Sequence, residues 1–134
     1  MDNGSKIKYL EMIQEIIKRQ SGNSFLIKGW VITLSLAGFG LFVNSGNNQT
    51  FLLLVAFITL MFWLLDAYYL KNERLFRQLY EEIADVKVKP KSFSMDVSKY
   101  SSGVACIPCT MFSFPTVIIY LAIFLMVGFL YYSF

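Results

Sequence analysis

Hydrophobic positions in this chain fall into three long blocks. Phe25–Val43 and Thr50–Leu65 are almost wholly apolar, and the uncharged turn Asn44-Ser45-Gly46-Asn47-Asn48-Gln49 joins them. A third block covers Phe114–Phe134, led in by Met111 to Ser113. No charged residue lies between Gly29 and Leu65, and the second block extends to Leu70 once Asp66 is placed at an interface. A helix needs about 20 apolar residues to cross a hydrocarbon core of about 30 Å. The blocks therefore predict an all-α membrane protein with three transmembrane helices: span 1 at 24–43, span 2 within 50–86, and span 3 at 111–134.

Outside the blocks the pattern changes period. In residues 5–20, Ile7, Leu10, Ile13 and Ile17 recur at steps of three and four with Ile16 beside them, while Lys8, Glu11, Glu15, Lys18 and Arg19 take the other side. This predicts an amphipathic N-terminal helix. Ser21-Gly22-Asn23-Ser24 is expected to interrupt it, with Asn23 or Ser24 capping span 1 and the chain bending at the membrane surface. Span 2 has no such breaker at its charged end, since Asp66 to Arg74 holds neither Gly nor Pro. One continuous helix is expected to about Asp85 or Val86, carrying an apolar stripe of Phe76, Leu79, Tyr80 and Ile83. The two stripes suit packing on each other, packing between subunits, or a helix lying in the membrane plane. Pro90 stops the helix. Residues 87–110, rich in Ser with Gly103 and Pro108, read as a loop with a short extended piece at Lys87–Lys89.

Composition agrees with the pattern. At 56% hydrophobic and 17% aromatic over 134 residues, the chain has more apolar surface than a soluble domain of this size could hide. About 65 residues go to the spans, and no remaining piece is long enough for a domain of its own, so a single membrane domain is expected. No small-residue cleavage site follows the first block before the turn, so span 1 is expected to stay in the mature protein. Charge sets the orientation. Lys6, Lys8, Lys18 and Arg19 precede span 1. Lys71, Arg74, Arg77, Lys87, Lys89, Lys91 and Lys99 lie between spans 2 and 3, and the 44–49 turn has neither Lys nor Arg. The positive-inside rule then puts the N-terminus and the central segment in the cytoplasm, and the turn and the C-terminus outside it.

Candidate chemistry is sparse. The chain has no His, which removes histidine bases and histidine metal ligands. No Gly-rich phosphate loop, nucleophile elbow or His-Glu-x-x-His pattern occurs. A non-enzymatic protein is expected, with no cofactor, no metal and no small-molecule substrate. Trp30 and Trp63 are equidistant from the turn centre, and Lys28 and Asp66 nearly so. Equal rise along two antiparallel helices means equal depth. Both tryptophans are expected near the cytoplasmic headgroup boundary, with Lys28 and Asp66 at one level just beyond. That pair reads as a topology-fixing ion pair, as snorkelling side chains, or as a gating or selectivity element. Gly29, Thr33 and Ala37 step by four, with Gly40 one residue short of the next step. Small residues so spaced allow close helix approach, within the hairpin or between subunits. Thr33, Ser35 and Thr59 are the polar side chains well inside the first two spans, and none ionises. A pore lined by one subunit is disfavoured, whereas a narrow pore on an oligomer axis is compatible.

Cys106-Ile107-Pro108-Cys109 has redox-motif spacing without a βαβ context. Reduced thiols at the start of span 3, a disulfide, or a metal shared between subunits all fit. Lys87–Lys99 carries four lysines against Asp96 and suits anionic headgroups, at about 1 kcal/mol per residue near the surface. Nucleic acid is the less favoured partner, since charge alone supplies no reading element.

The segment Asn23-Ser24-Phe25-Leu26-Ile27-Lys28-Gly29-Trp30, then Asp66-Ala67-Tyr68-Tyr69-Leu70, Glu73-Arg74-Leu75-Phe76-Arg77 and Leu79-Tyr80, resembles a family of small bacterial multi-span membrane proteins. These are similar to the two-span membrane effectors and accessories of prokaryotic antiviral defence systems. The resemblance covers about residues 5–85, and span 3 goes beyond the two-span pattern. It implies an inner-membrane homo-oligomer that perturbs or permeabilises the membrane when a cytoplasmic protein partner signals, and it implies no catalytic residues. A membrane anchor or scaffold recruiting a cytoplasmic complex, and a holin-like or small transport protein, are the alternatives.

Overall fold

A computed structural model describes residues 3–85, 94–100 and 110–133. Helix α1 spans Asn3–Asn44, α2 spans Thr50–Ala84 and α3 spans Phe114–Ser133, with a 3-10 turn at Ser98–Tyr100. Among the described residues there is no strand. All three helices are long and apolar enough to cross a membrane. Cys106, Cys109, the Lys87–Lys91 segment and Phe134 lie outside the described residues.

The expected break at Ser21–Ser24 does not occur, because α1 runs through it without interruption. A glycine inside a helix costs about 1 kcal/mol relative to alanine. Here α2 lies alongside both halves of α1, and that packing outweighs one glycine. Ser24 caps nothing; its side chain is used across the helix pair instead. Helix α2 runs past its apolar block to Ala84, with Asp85 as its last cap.

The turn between α1 and α2 is closed by backbone geometry. Asn47 N–H donates to Phe42 O at 3.1 Å and Ser45 N–H to Leu41 O at 2.9 Å. Gly46 and Asn47 have φ of 71° and 65°. The six-residue bond with a left-handed glycine is the Schellman way of ending a helix. Asn48 Oδ1 then accepts from Thr50 N–H at 3.0 Å and starts α2.

Two apolar cores hold the helices. In the first, Val31 and Phe42 of α1 meet Leu52 and Val55 of α2, together with Tyr120, Ile123 and Val127 of α3. In the second, at the charged end, Tyr9 and Ile13 meet Leu79 and Ile83, with Phe76 and Tyr80 packed against them. Of the Phe76, Leu79, Tyr80, Ile83 stripe, Leu79 and Ile83 are buried against the chain's own α1, while Phe76 and Tyr80 are half-buried beside that core. The inward face of the N-terminal half is also rotated from the expected one: Tyr9 is buried while Ile7 is 59% exposed. Residues 94–100 strap this end, with Met95, Val97 and Tyr100 on the second core.

The face of α1 that meets α2 is Val31, Ser35, Gly38 and Phe42, at steps of four, three and four. Gly29, Thr33, Ala37 and Gly40 all point away from it, and nothing lies within 4 Å of a methyl built on Gly29 or Gly40. Close approach occurs at Gly38, where such a methyl would stand 2.2 Å from Val55 Cγ2. Substituting Gly38→Val should lower stability by about 1–3 kcal/mol through overpacking, and Val55→Ala in the same chain should restore part of it. Thermal unfolding in detergent reads both.

The strap is polar at its tip. Tyr9 donates to Ser94 O, Tyr100 donates to Glu82, and Lys99 Nζ stands 2.7 Å from Glu82 Oε1. Lys99 first, and Tyr100 after it, hold Glu82 below the usual carboxylate range. The same hydrogen bond holds Lys99 above its ordinary value. A lowered carboxyl contributes above its unfolded pKa and is lost as pH falls through the folded one; a raised lysine contributes below its unfolded pKa and is lost as pH rises through the folded one. The strap should therefore stay docked near neutral pH and loosen in acid. Amide exchange at 97–100, corrected for the intrinsic rate, should rise below about pH 4, and Glu82→Gln should flatten that dependence.

Candidate functional site

Asp66 is the most deeply buried charge among the described residues, with a side-chain exposure of 0%. It sits on α2 where the apolar half gives way to the charged half. Lys28 and Ser24, one turn apart on α1, reach it from across the hairpin. Lys28 Nζ donates to Asp66 Oδ1 at 2.8 Å and to Ser24 Oγ at 2.7 Å, and Ser24 donates to the same Oδ1. Nζ also lies 2.7 Å from Oδ2, off the direction of a second hydrogen bond, so that contact is ionic alone. The three side chains close a ring in which the hydroxyl accepts from the ammonium and donates to the carboxylate.

Antiparallel helices with equal rise bring these positions to one level. A carboxylate taken out of water without a partner costs several kcal/mol. One that is paired and hydrogen-bonded holds its two helices in a single register.

The same register puts Trp30 and Trp63 near one level, yet their surroundings differ. Trp30 is 59% exposed. Trp63 is the seat of α3. Its indole N–H donates to Met111 O at 3.1 Å, its ring stacks on Tyr120 at 5.8 Å and 13°, and Phe112 meets it edge-on at 5.9 Å. Tyr120, fully buried, donates to Phe62 O at 3.3 Å. Arg74 donates at 2.6 Å to the Oγ of Ser113, the residue just before the start of α3. Helix α3 packs on α2 and barely touches α1. Pro115 stands in its first turn, where a missing N–H breaks no helical bond.

Further out, Glu73 is nearly buried and takes both Arg77 contacts, at 2.8 and 2.7 Å. Among the mid-span hydroxyls, Thr33 donates to Gly29 O and Thr59 to Val55 O, while Ser35, buried at the hairpin contact, has no hydrogen bond. Among the described residues no His, Cys, Asp and Glu group could hold a metal ion.

Sequence reasoning named Lys28, Asp66, Trp30 and Trp63 and missed Ser24 and Tyr120 as part of the site. Ser24 stands one turn before Lys28, a spacing that brings two side chains onto one face. Tyr120 carried no comparable signal, because its place depends on how α3 docks. Comparison of the chain with protein-family models, with curated proteins and with solved structures gives no match.

Removing one member of the pair leaves a buried charge. Asp66→Ala or Lys28→Ala should each cost about 3–5 kcal/mol. The double Lys28→Met/Asp66→Leu should cost less than the sum, because neither charge is then orphaned. Unfolding of the detergent-solubilised chain measures the cycle.

Proposed function

We propose that this protein is a non-enzymatic membrane effector or accessory of bacterial antiviral defence, an inner-membrane oligomer that perturbs or permeabilises the bilayer. The N-terminus and the charged ends of α1 and α2 lie in the cytoplasm, as does the 94–100 strap; the 44–49 turn and the C-terminus lie across the membrane. Charge asymmetry supports this orientation, since every Lys and Arg is on the side assigned to the cytoplasm. The defence setting rests on the family resemblance.

The observation that carries the mechanism is the unbroken passage of two helices from membrane to cytoplasm. A helix of 42 residues and one of 35 each join an apolar half to a charged half, and Lys28–Asp66–Ser24 clamps them where the halves meet. A push on the outer halves by a cytoplasmic protein partner therefore reaches the spans with no hinge between. An ionisable pair at membrane depth is a functional position by default, and opening this one would free α1 from α2 at the membrane edge. Outward-facing Gly29, Thr33, Ala37 and Gly40 are left for contact between subunits.

A second reading, an anchor that recruits a cytoplasmic complex without conducting, is favoured by one feature. The inner faces of the spans are apolar and hold no ionisable side chain between Gly29 and Leu65, so a single chain offers no wet path.

Induced expression separates the two. Rapid loss of membrane potential, reduced at least tenfold in rate by Gly29→Leu or Ala37→Leu at equal protein level, is the outcome expected of an oligomeric effector. Unchanged potential, with a soluble protein co-purifying, would instead establish the anchor.

A further inference from the structure

The clamp at Asp66 has one acceptor to spare. Oδ1 takes both the Ser24 hydroxyl and the Lys28 ammonium, whereas Oδ2 is fully buried and accepts no hydrogen bond. From Asn44, a rise of about 1.5 Å per residue puts the far edge of a core of about 30 Å near Ser24. Lys28, level with Asp66, then lies about 6 Å inside that edge. No water stands ready there to replace a lost donor.

Helix α3 brings a donor to the same place. Tyr120 has no exposed surface, and its hydroxyl lies beside the Asp66 carboxylate, near enough to interact with its charge. It donates instead to Phe62 O at 3.3 Å. That is long for an O–H···O bond, which ordinarily measures about 2.5–3.0 Å. Phe62 stands one turn before Asp66 on α2, so its carbonyl is also the regular helix acceptor for the Asp66 N–H. The carbonyl therefore stays satisfied without the tyrosine. The Trp63 stack holds the phenol ring, but the O–H turns freely about its C–O bond, and a carboxylate turns readily about its last torsion. Such a turn carries the bond from a carbonyl to a carboxylate, and bonds to an ionised acceptor are about twice as strong.

We infer that Tyr120 is a reserve donor for Asp66, which couples the seating of α3 to the α1–α2 clamp in opposite senses. With Lys28 and Ser24 in place, the hydroxyl stays on Phe62 O and its bond is weak. When either is drawn off, the hydroxyl turns to the carboxylate, so α3 is held more tightly as α1 is released. Tyr120 is thus a positioning residue that acts through Asp66. The inference goes beyond the defence reading and does not depend on it.

The test uses the full chain with Trp30→Phe, which leaves Trp63 as the only tryptophan. In micelles containing a lipid with brominated acyl chains, Trp63 emission is quenched as α3 leaves, and titration with dodecyl sulfate drives every variant to the released state. Tyr120→Phe keeps the ring and its stack and removes only the hydroxyl. Against the native clamp it should weaken the seating of α3 about twofold, the size of a weak neutral hydrogen bond. In a Lys28→Met chain the same change should weaken it about tenfold, the size of a bond to a charged group. With Lys28→Met/Asp66→Leu the effect should fall back to about twofold. Ser24→Ala removes one donor and spares the ion pair; it should enlarge the effect in the same direction, and it decides the matter if circular dichroism shows that Lys28→Met does not fold. An equal effect of Tyr120→Phe in every background overturns the inference. An enlarged effect that persists once Asp66 is Leu overturns it equally.

Discussion

A carboxylate with no exposed surface, at the edge of a membrane span, dictates much of this structure. Asp66 cannot stay charged in an apolar surrounding without a cation and a hydrogen-bond donor, and α1 supplies both from adjacent turns through Lys28 and Ser24. Because the three side chains must meet, the sliding freedom of two long helices collapses to one register. That register carries Gly38 onto Val55 at one end of the hairpin and Ile13 between Leu79 and Ile83 at the other. Two apolar cores, far apart along the helix axis, thus depend on one polar contact between them.

The bilayer imposes the second constraint. Phe25, Leu36, Val43, Leu53, Phe57, Leu125 and Phe129 are more than half exposed, a surface that water would not tolerate on a chain this small. In lipid these residues are solvated, and what must be hidden is the backbone and the few polar side chains. Thr33 and Thr59 satisfy their hydroxyls on the preceding turn of their own helices. The spans are thus joined by shape, through Gly38 and the Val31–Phe42 face, while the outer halves are joined by ordinary hydrophobic burial on Tyr9, Ile13, Leu79 and Ile83.

Helix α3 is attached differently from the other two. It leans mainly on α2, through the Trp63–Tyr120 stack, the Trp63–Met111 hydrogen bond and the Arg74–Ser113 bond. Most of its circumference is exposed. The result is a long two-helix unit with a third helix docked on one flank.

Three apolar blocks and the uncharged turn between the first two were legible in the sequence because span length and turn chemistry are local properties. The common level of Lys28 and Asp66 was legible too, since equal rise needs only counting. What counting could not give is rotation. Gly29, Thr33 and Ala37 carry the small-residue spacing, but it is Gly38, flanked by Ser35 and Phe42, that meets α2. Ser24 looked like a cap and became a bridge, and the Ser21–Ser24 break vanished, because local propensity worth about 1 kcal/mol yields to packing along both halves of a long helix. The two tryptophans, alike in sequence position, parted company once α3 docked on one of them. The sequence by itself determined which segments enter the membrane, since that depends on how much apolar surface each segment carries. Only the tertiary structure decided which face of each helix turns inward, since that depends on the shape and charge of the neighbour it meets.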